Sequence, residues 1–286
     1  MKPAPVEYRR AHSVEQALEL LAEHGDEAKI LAGGQSLVPM MNYRLARPEM
    51  LVDVGPVAEL DYVVRDGDAL RVGALARHVR LERYETDSLA GGFEVLAAVA
   101  AEIGHAPIRT LGTIGGSLAH ADAAAEWCAA ALFLDAQVVL RSSARGERTV
   151  GAEDFLLGLY TTALEPDEMV VEVVFPRPYR HTGFAEYAQR RGDFALTSAG
   201  VALEFDGPVC TAARVVVGGV SDRAVRAPGA EAALVGTTCD AGAMEYAAVQ
   251  AAAEVDPIDT TPGMAPYRRH LTRTLTARAL TEAISR

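Results

Sequence analysis

The chain has 286 residues, and at roughly 100–200 residues per domain that length favours two domains. Its 50% hydrophobic and 23% charged residues are a globular balance that excludes extensive disorder. With 27 Lys and Arg against 39 Asp and Glu, a formal charge of -12 and no basic run, a phosphate backbone would be repelled and nucleic-acid binding is not expected.

The elements read as follows. Ser13 caps a helix with Gln16 completing a capping box, Val14, Ala17, Leu18 and Leu21 recur at helical spacing, and Gly25 ends it. Lys29 to Ala32 reads as a short buried strand running into Gly33-Gly34, then one helical turn over Ser36 to Met41, and strands over Met50–Val54 and Ala69–Gly73. An alanine-rich helix spans Phe93 to Ile103. A loop, Gly104 to Arg109, leads to the string Gly112 to Ser117, a helix from Ala123 to Phe133, and strands at Gln137–Arg141 and Met169–Phe175. Pro176 and Pro178 mark a domain boundary. Beyond it, strands Val201–Phe205 and Arg214–Gly218 precede helices Ala241 to Val255 and Pro266 to Ser285, the order of a small α+β domain with helices on one sheet face.

Cys128, Cys210 and Cys239 are too few and too dispersed for a disulfide framework or a four-thiolate cluster, and suit a reducing cytoplasm. No apolar run of about 18 residues is present, so no membrane span is expected, and the N-terminal residues lack the apolar segment of a signal peptide. His120, Asp122 and Cys128 match no zinc spacing, and Ser36 and Ser117 lack a base in context, so neither a metal site nor a hydrolytic triad is expected.

Gly33-Gly34-Gln35-Ser36 and Gly115-Gly116-Ser117 share one design: a preceding apolar residue, two glycines and a small hydroxyl side chain. Glycine lets a backbone come within hydrogen-bond distance of a ligand, and successive N–H groups form an anion nest; two such segments would grip both halves of a pyrophosphate. The competing reading is a pair of tight turns. Neither segment matches a Walker A sequence or the Gly-x-Gly-x-x-Gly fingerprint.

The longer strings are more specific. Ala32-Gly33-Gly34-Gln35-Ser36-Leu37-Val38-Pro39-Met40-Met41-Asn42, followed by Arg44-Leu45-Ala46-Arg47-Pro48, resembles the FAD-binding medium subunit of molybdenum hydroxylases, the family of the carbon monoxide dehydrogenase medium chain and the flavin domain of xanthine dehydrogenase. Ile108-Arg109-Thr110-Leu111-Gly112-Thr113-Ile114-Gly115-Gly116-Ser117-Leu118 is similar to the family's second flavin loop, with Ala121-Asp122 behind it. Phe184-Ala185-Glu186-Tyr187, running through Arg190-Arg191-Gly192-Asp193-Phe194-Ala195, is a third match, and the likeness extends to Tyr267-Arg268-Arg269-His270. Thr110 and Ser117 stand where asparagine is frequent, and Ala123 and Cys128 where proline is usual.

The resemblance implies an α+β chain: a two-part FAD-binding domain of the PCMH (vanillyl-alcohol-oxidase-like) type over 1–176, divided near 56, then a C-terminal domain of carbon monoxide dehydrogenase flavoprotein type over 177–286. It implies that Leu31, Ala32, Gly33, Gly34, Gln35, Ser36 and Leu37, with Gly112, Thr113, Gly115, Gly116 and Ser117, hold the FAD pyrophosphate. Asp122 and Glu126 are implied at the ribityl chain, Ile103 and Gly104 near the isoalloxazine ring, Asp193 and Phe194 beside its other end, and Val170 as a backbone contact. For Asp122 and Glu126 an ordinary helix-start acid is the alternative, and for Phe194 an ordinary core residue. It implies, too, a division of labour in which a molybdopterin-binding large subunit oxidises substrate, a small subunit relays electrons through [2Fe–2S] clusters, and this chain passes them to NAD+, a quinone or another acceptor. No side chain here is then needed as acid or base. The alternative is a stand-alone FAD-dependent oxidoreductase with its own substrate.

Overall fold

The computed structural model describes residues 2–83, 87–257 and 264–285. The first elements are β1 (Glu7–Arg10), α1 (Val14–His24), β2 (Ala28–Leu31), α2 (Leu37–Asn42) and β3 (Met50–Asp53). They form a small sheet of order β1-β3-β2, parallel throughout. Ser13 Oγ accepts the Gln16 amide at 3.1 Å, but the Gln16 side chain accepts from His12 N at 2.8 Å, one residue before the capping-box position expected. Val14, Ala17, Leu18 and Leu21 are buried, as the spacing requires.

The middle of the chain contributes β4 (Val63–Asp66), β5 (Ala69–Gly73), α3 (His78–Glu82), α4 (Val95–Glu102), α5 (Ala106–Arg109), α6 (Ile114–His120), α7 (Glu126–Phe133), β6 (Gln137–Ser142), β7 (Gly146–Gly151), α8 (Ala152–Phe155), β8 (Leu156–Gly158), β9 (Thr161–Thr162) and β10 (Glu168–Phe175). Its antiparallel sheet has the order β4-β5-β10-β6-β7, and every residue of the central strand β10 is buried. The helices bury Ile114, Leu118, Trp127 and Phe133, with Phe93 just before α4, in one core with Leu70, Val173 and Phe175 of this sheet.

The last part comprises β11 (His181–Ala188), β12 (Ala195–Asp206), β13 (Val209–Gly218), β14 (Val225–Arg226), α9 (Pro228–Leu234), α10 (Ala241–Glu254) and α11 (Met264–Ser285). The strands form one antiparallel sheet in sequence order, with helices on one face as the sequence implies. The approach of α11 is close: a Cβ at Gly183 would lie 2.0 Å from Ala279 O. On the opposite face the sheet receives α7, and Phe133 stacks on Phe184 with ring centroids 6.5 Å apart.

Three local elements differ from the sequence expectation. The string Gly112 to Ser117 is no loop: Thr113 begins a helix and both following glycines lie inside α6. The helix expected from Ala123 starts at Glu126, because Asp122 first folds a turn onto the Ala124 amide. The loop after Gly104 contains the short helix α5, opened by Pro107 in its first turn.

The contact between α7 and the C-terminal sheet depends on Gly200, where a Cβ would lie 2.2 Å from Phe133 Cδ1, on a fully buried ring. Gly200→Ala should therefore destabilise the fold by about 1–3 kcal/mol through overpacking, read as a lower denaturant midpoint at unchanged slope. An unchanged midpoint would mean that the two parts are not packed as described.

Candidate functional site

The first glycine segment leaves β2 at Leu31 and enters α2 at Leu37. Gly34 has φ +69°, which glycine adopts without steric cost, and Gln35 Nε2 closes the turn by donating to Gly33 O at 2.9 Å. Among the described residues, no acceptor engages the backbone amides of Gly33, Gly34, Gln35 and Ser36, and the Ser36 hydroxyl makes no cap bond. Successive uncommitted N–H donors in a turn are the physical definition of an anion nest.

The second segment is built differently. Thr113 Oγ1 accepts the Gly116 amide at 3.2 Å, Ile114 N donates to Ala76 O, Gly115 N to Ala74 O, and Ser117 N to Thr113 O. These amides are spent on the fold, so the two segments are not equivalent nests. Only Gly34 of the four paired glycines takes a positive φ, and Gly116 is helical. What the second segment supplies is closeness. A Cβ at Gly33 would lie 2.2 Å from Leu111 O and 2.7 Å from Gly112 Cα; one at Gly112 would lie 2.5 Å from His78 Nε2, and one at Gly115 2.6 Å from Ala74 Cβ. The two segments thus touch backbone to backbone, with Ala32 over Gly116. His78, which sequence reasoning missed, is the buttress. Trp127 Nε1 donates to its Nδ1 at 2.9 Å, and burial lowers its pKa to about 4, so the ring is neutral.

Helix α6 ends at Ala121 in the left-handed conformation, about 12 Å along its axis from Thr113. Asp122 there accepts from Ala124 N and from Tyr160 OH at 3.2 Å, and Tyr160 stacks on His120 at 4.8 Å. Glu126 is buried at the start of α7. Burial raises its pKa to about 7, opposed by its own amide and reinforced by Asp122 and Glu102. Glu186 on β11 has one carboxyl oxygen buried without a hydrogen-bond partner. Burial, then the charges of Glu126 and Glu102, push it up to about 9. The structure therefore groups Glu126 with Glu102 and Glu186, an association across the two domains that no sequence spacing announces.

Ile103 is buried, Gly104 has φ +48°, and both carbonyls accept from Arg109, whose guanidinium also forms a two-point pair with Glu82 at 2.7 and 2.9 Å. Gly192 takes φ +90°, its carbonyl oxygen lies 3.1 Å from His105 Nδ1, and a Cβ there would lie 2.0 Å from the same nitrogen. The segments of Ile103–Gly104 and Asp193–Phe194 are thereby brought together. Phe194 is 74% exposed, which removes the core alternative. Val170 is a buried residue of β10 beside a register shift, in the same core as Ile114 and Leu118 of α6, and its neighbour Val171 accepts the Ala74 amide. Cys128 is buried within α7, and the described residues include no group of three His, Cys, Asp or Glu placed to hold a metal.

Residues 4–178 match the family described as the FAD binding domain in molybdopterin dehydrogenase, and residues 183–283 the CO dehydrogenase flavoprotein C-terminal domain. The 6-hydroxypseudooxynicotine dehydrogenase complex subunit alpha of Paenarthrobacter nicotinovorans is 41% identical, over 100% of this chain and 97% of its own length. Among solved structures, carbon monoxide dehydrogenase from Hydrogenophaga pseudoflava, in a form lacking the Mo-pyranopterin moiety, superposes with a TM-score of 0.94 at 34% identity, covering 100% of this chain and 99% of that one. Quinoline 2-oxidoreductase from Pseudomonas putida 86 gives 0.92 at 38%, with the same coverage. Fold and comparisons together define a flavoprotein oxidoreductase. The chain belongs to the FAD-binding medium subunits of the molybdenum hydroxylases, and FAD is its cofactor. The site fits that group: an open amide nest at Gly33–Ser36 lies backbone to backbone against Leu111–Gly112, an approach that the absence of a Cβ at Gly33 permits.

Gly33→Ala forces the nest away from Leu111 and should weaken FAD binding at least about tenfold, and Gly34→Val should do the same through its φ; fluorescence titration at unchanged affinity would reduce both glycines to turns. Glu186 yields a second expectation. Its proton is held in the folded chain up to about pH 9 but released near the ordinary carboxyl pKa when unfolded. The folded state then binds more protons across that window, so stability falls as pH rises through it. Glu186→Gln should flatten this fall in thermal midpoints between pH 5 and 9; parallel profiles for variant and parent would refute the assignment.

Proposed function

We propose that this chain receives electrons from the [2Fe–2S] clusters of a partner small subunit, while a molybdopterin-binding large subunit oxidises the organic substrate, and hands them to NAD+, a quinone or another acceptor. The observation that carries the reading is the nest of uncommitted amides at Gly33–Ser36 pressed against the Leu111–Gly116 backbone. Bound flavin supplies the capacity to take electrons singly and release them in pairs. The protein's share is to bind, orient and shield. Ala32–Ser36 and Thr113–Ser117 hold the pyrophosphate, the first through amides and the second through proximity and the Ser117 hydroxyl. Asp122 and Glu126 flank the ribityl chain, about one α6 length away. Ile103, Gly104, Asp193 and Phe194 border the ring, and Val170 contributes through its backbone.

Three buried cysteines, with Cys128 on α7 and Cys210 and Cys239 in the C-terminal core, support placing the clusters on another chain. Their free thiols also favour the cytoplasm. The separate sheets around β3, β10 and β12 support units of about 1–56, 57–176 and 177–286. No helix among the described residues is long and apolar enough to cross a membrane.

Exposed Phe194 covers the approach to the ring edge in this reading, so Phe194→Ala should hasten reoxidation of dithionite-reduced flavin by oxygen while FAD stays bound. Stopped-flow traces at the parent rate would remove that role. The isolated chain should turn over no organic substrate; efficient turnover without partners would replace the subunit reading by a self-sufficient enzyme.

A further inference from the structure

The string Arg44-Leu45-Ala46-Arg47-Pro48 follows the first glycine segment closely yet takes no part in the amide nest. The backbone that carries it is tightly built. Tyr43 N donates to Pro39 O, Arg44 N to Met41 O, and Leu45 N to Met40 O at 2.9 Å. Arg44 takes φ +59°, a conformation rare for a residue with a side chain, which reverses the chain just after α2. Met41 and Pro48 are buried on either side. Between them the chain holds Tyr43 67% and Leu45 76% exposed, with Val38 of α2 exposed as well. A well-ordered turn that presents large apolar side chains outward has the character of an interaction surface.

Its charge says what kind of surface meets it. In a chain of formal charge -12, Lys2, Arg44 and Arg47 pair with no carboxylate among the described residues. The Arg44 side chain donates only to Lys2 O, at 3.4 Å, and that of Arg47 only to Arg44 O, at 3.0 Å. Tyrosine and arginine around an apolar centre is the composition of a binding hot spot. A cationic island on an anionic molecule selects an anionic partner and orients its approach. A [2Fe–2S] centre ligated by four thiolates carries net negative charge in either redox state. The patch also continues directly from the amide nest through α2, so a chain docked there lies beside the cofactor site.

Resting on the proposed electron-transfer role, we infer that Val38, Tyr43 and Leu45, ringed by Lys2, Arg44 and Arg47, form the docking surface for the iron–sulfur partner. The test is co-expression with the partner chains, purification through a tag on this chain, and measurement of iron, molybdenum and FAD per chain. Leu45→Glu, and separately the double change Arg44→Glu with Arg47→Glu, should leave FAD content and the unfolding midpoint at parental values and lower bound iron at least about tenfold. Parental iron in both variants overturns the inference. So does loss of molybdenum with iron retained, which would assign the patch to the large subunit. A free parent chain that is dimeric, with Leu45→Glu monomeric, would assign it to a second copy instead. A parent chain that captures no iron at all removes the electron-transfer role itself, which separates that failure from failure of the patch.

Discussion

The architecture of the site turns on one steric fact: two backbones cross with nothing between them. Gly33 lies so close to Leu111 and Gly112 that any side chain at Gly33 would overlap a carbonyl oxygen. Atoms at such separations do not yield, because interiors are close-packed and have no slack to absorb an added methyl group. The contacts around the two glycine segments hold that crossing in place. The Gly112 side of it is fixed by neutral His78, itself oriented by the only tryptophan in the chain. Glycine at 115 admits Ala74, so the helix sits flush on the end of β5.

The crossing also explains why two similar glycine strings do different work. A nest needs donors that the fold does not use. In the first segment the turn closes through a side chain, Gln35, and the amides stay free. In the second, Ala74 and Ala76 take the amides of Gly115 and Ile114 to anchor a helix. In the proposed binding of the dinucleotide, one segment offers polarity and the other access: donors for its phosphates and a floor that lets it come near them.

Much of this was legible in the sequence, for a physical reason. Close approach can be met only by glycine, so Gly33-Gly34 and Gly115-Gly116 are visible without any structure, and so is the helix from Ser13 to Gly25 with its cap and apolar stripe. What stayed hidden depends on pairings between distant residues. Whether an amide is free is decided by Ala74 and Ala76, some forty residues before Gly116. Glu126 and Glu186 come together only because the C-terminal sheet packs on α7. The strand β1 escaped notice because all four of its residues are exposed and show no alternation. Phe194 stayed open between ring and core because an aromatic side chain suits either place, and only its exposure in the folded chain decides against the core.

The place of β10 has a consequence for how the protein is made. Ala74, on which the glycine helix rests, is itself held by Val171, and β10 fills the gap between β5 and β6. A ribosome delivers β5 roughly a hundred residues before β10, so the β5 edge stands open for that whole interval and the β6 edge for its last part. Non-local closure of this kind is slow. On the proposed placing of the flavin, its cradle is therefore a late product of synthesis, incomplete until the strand nearest the domain boundary has emerged.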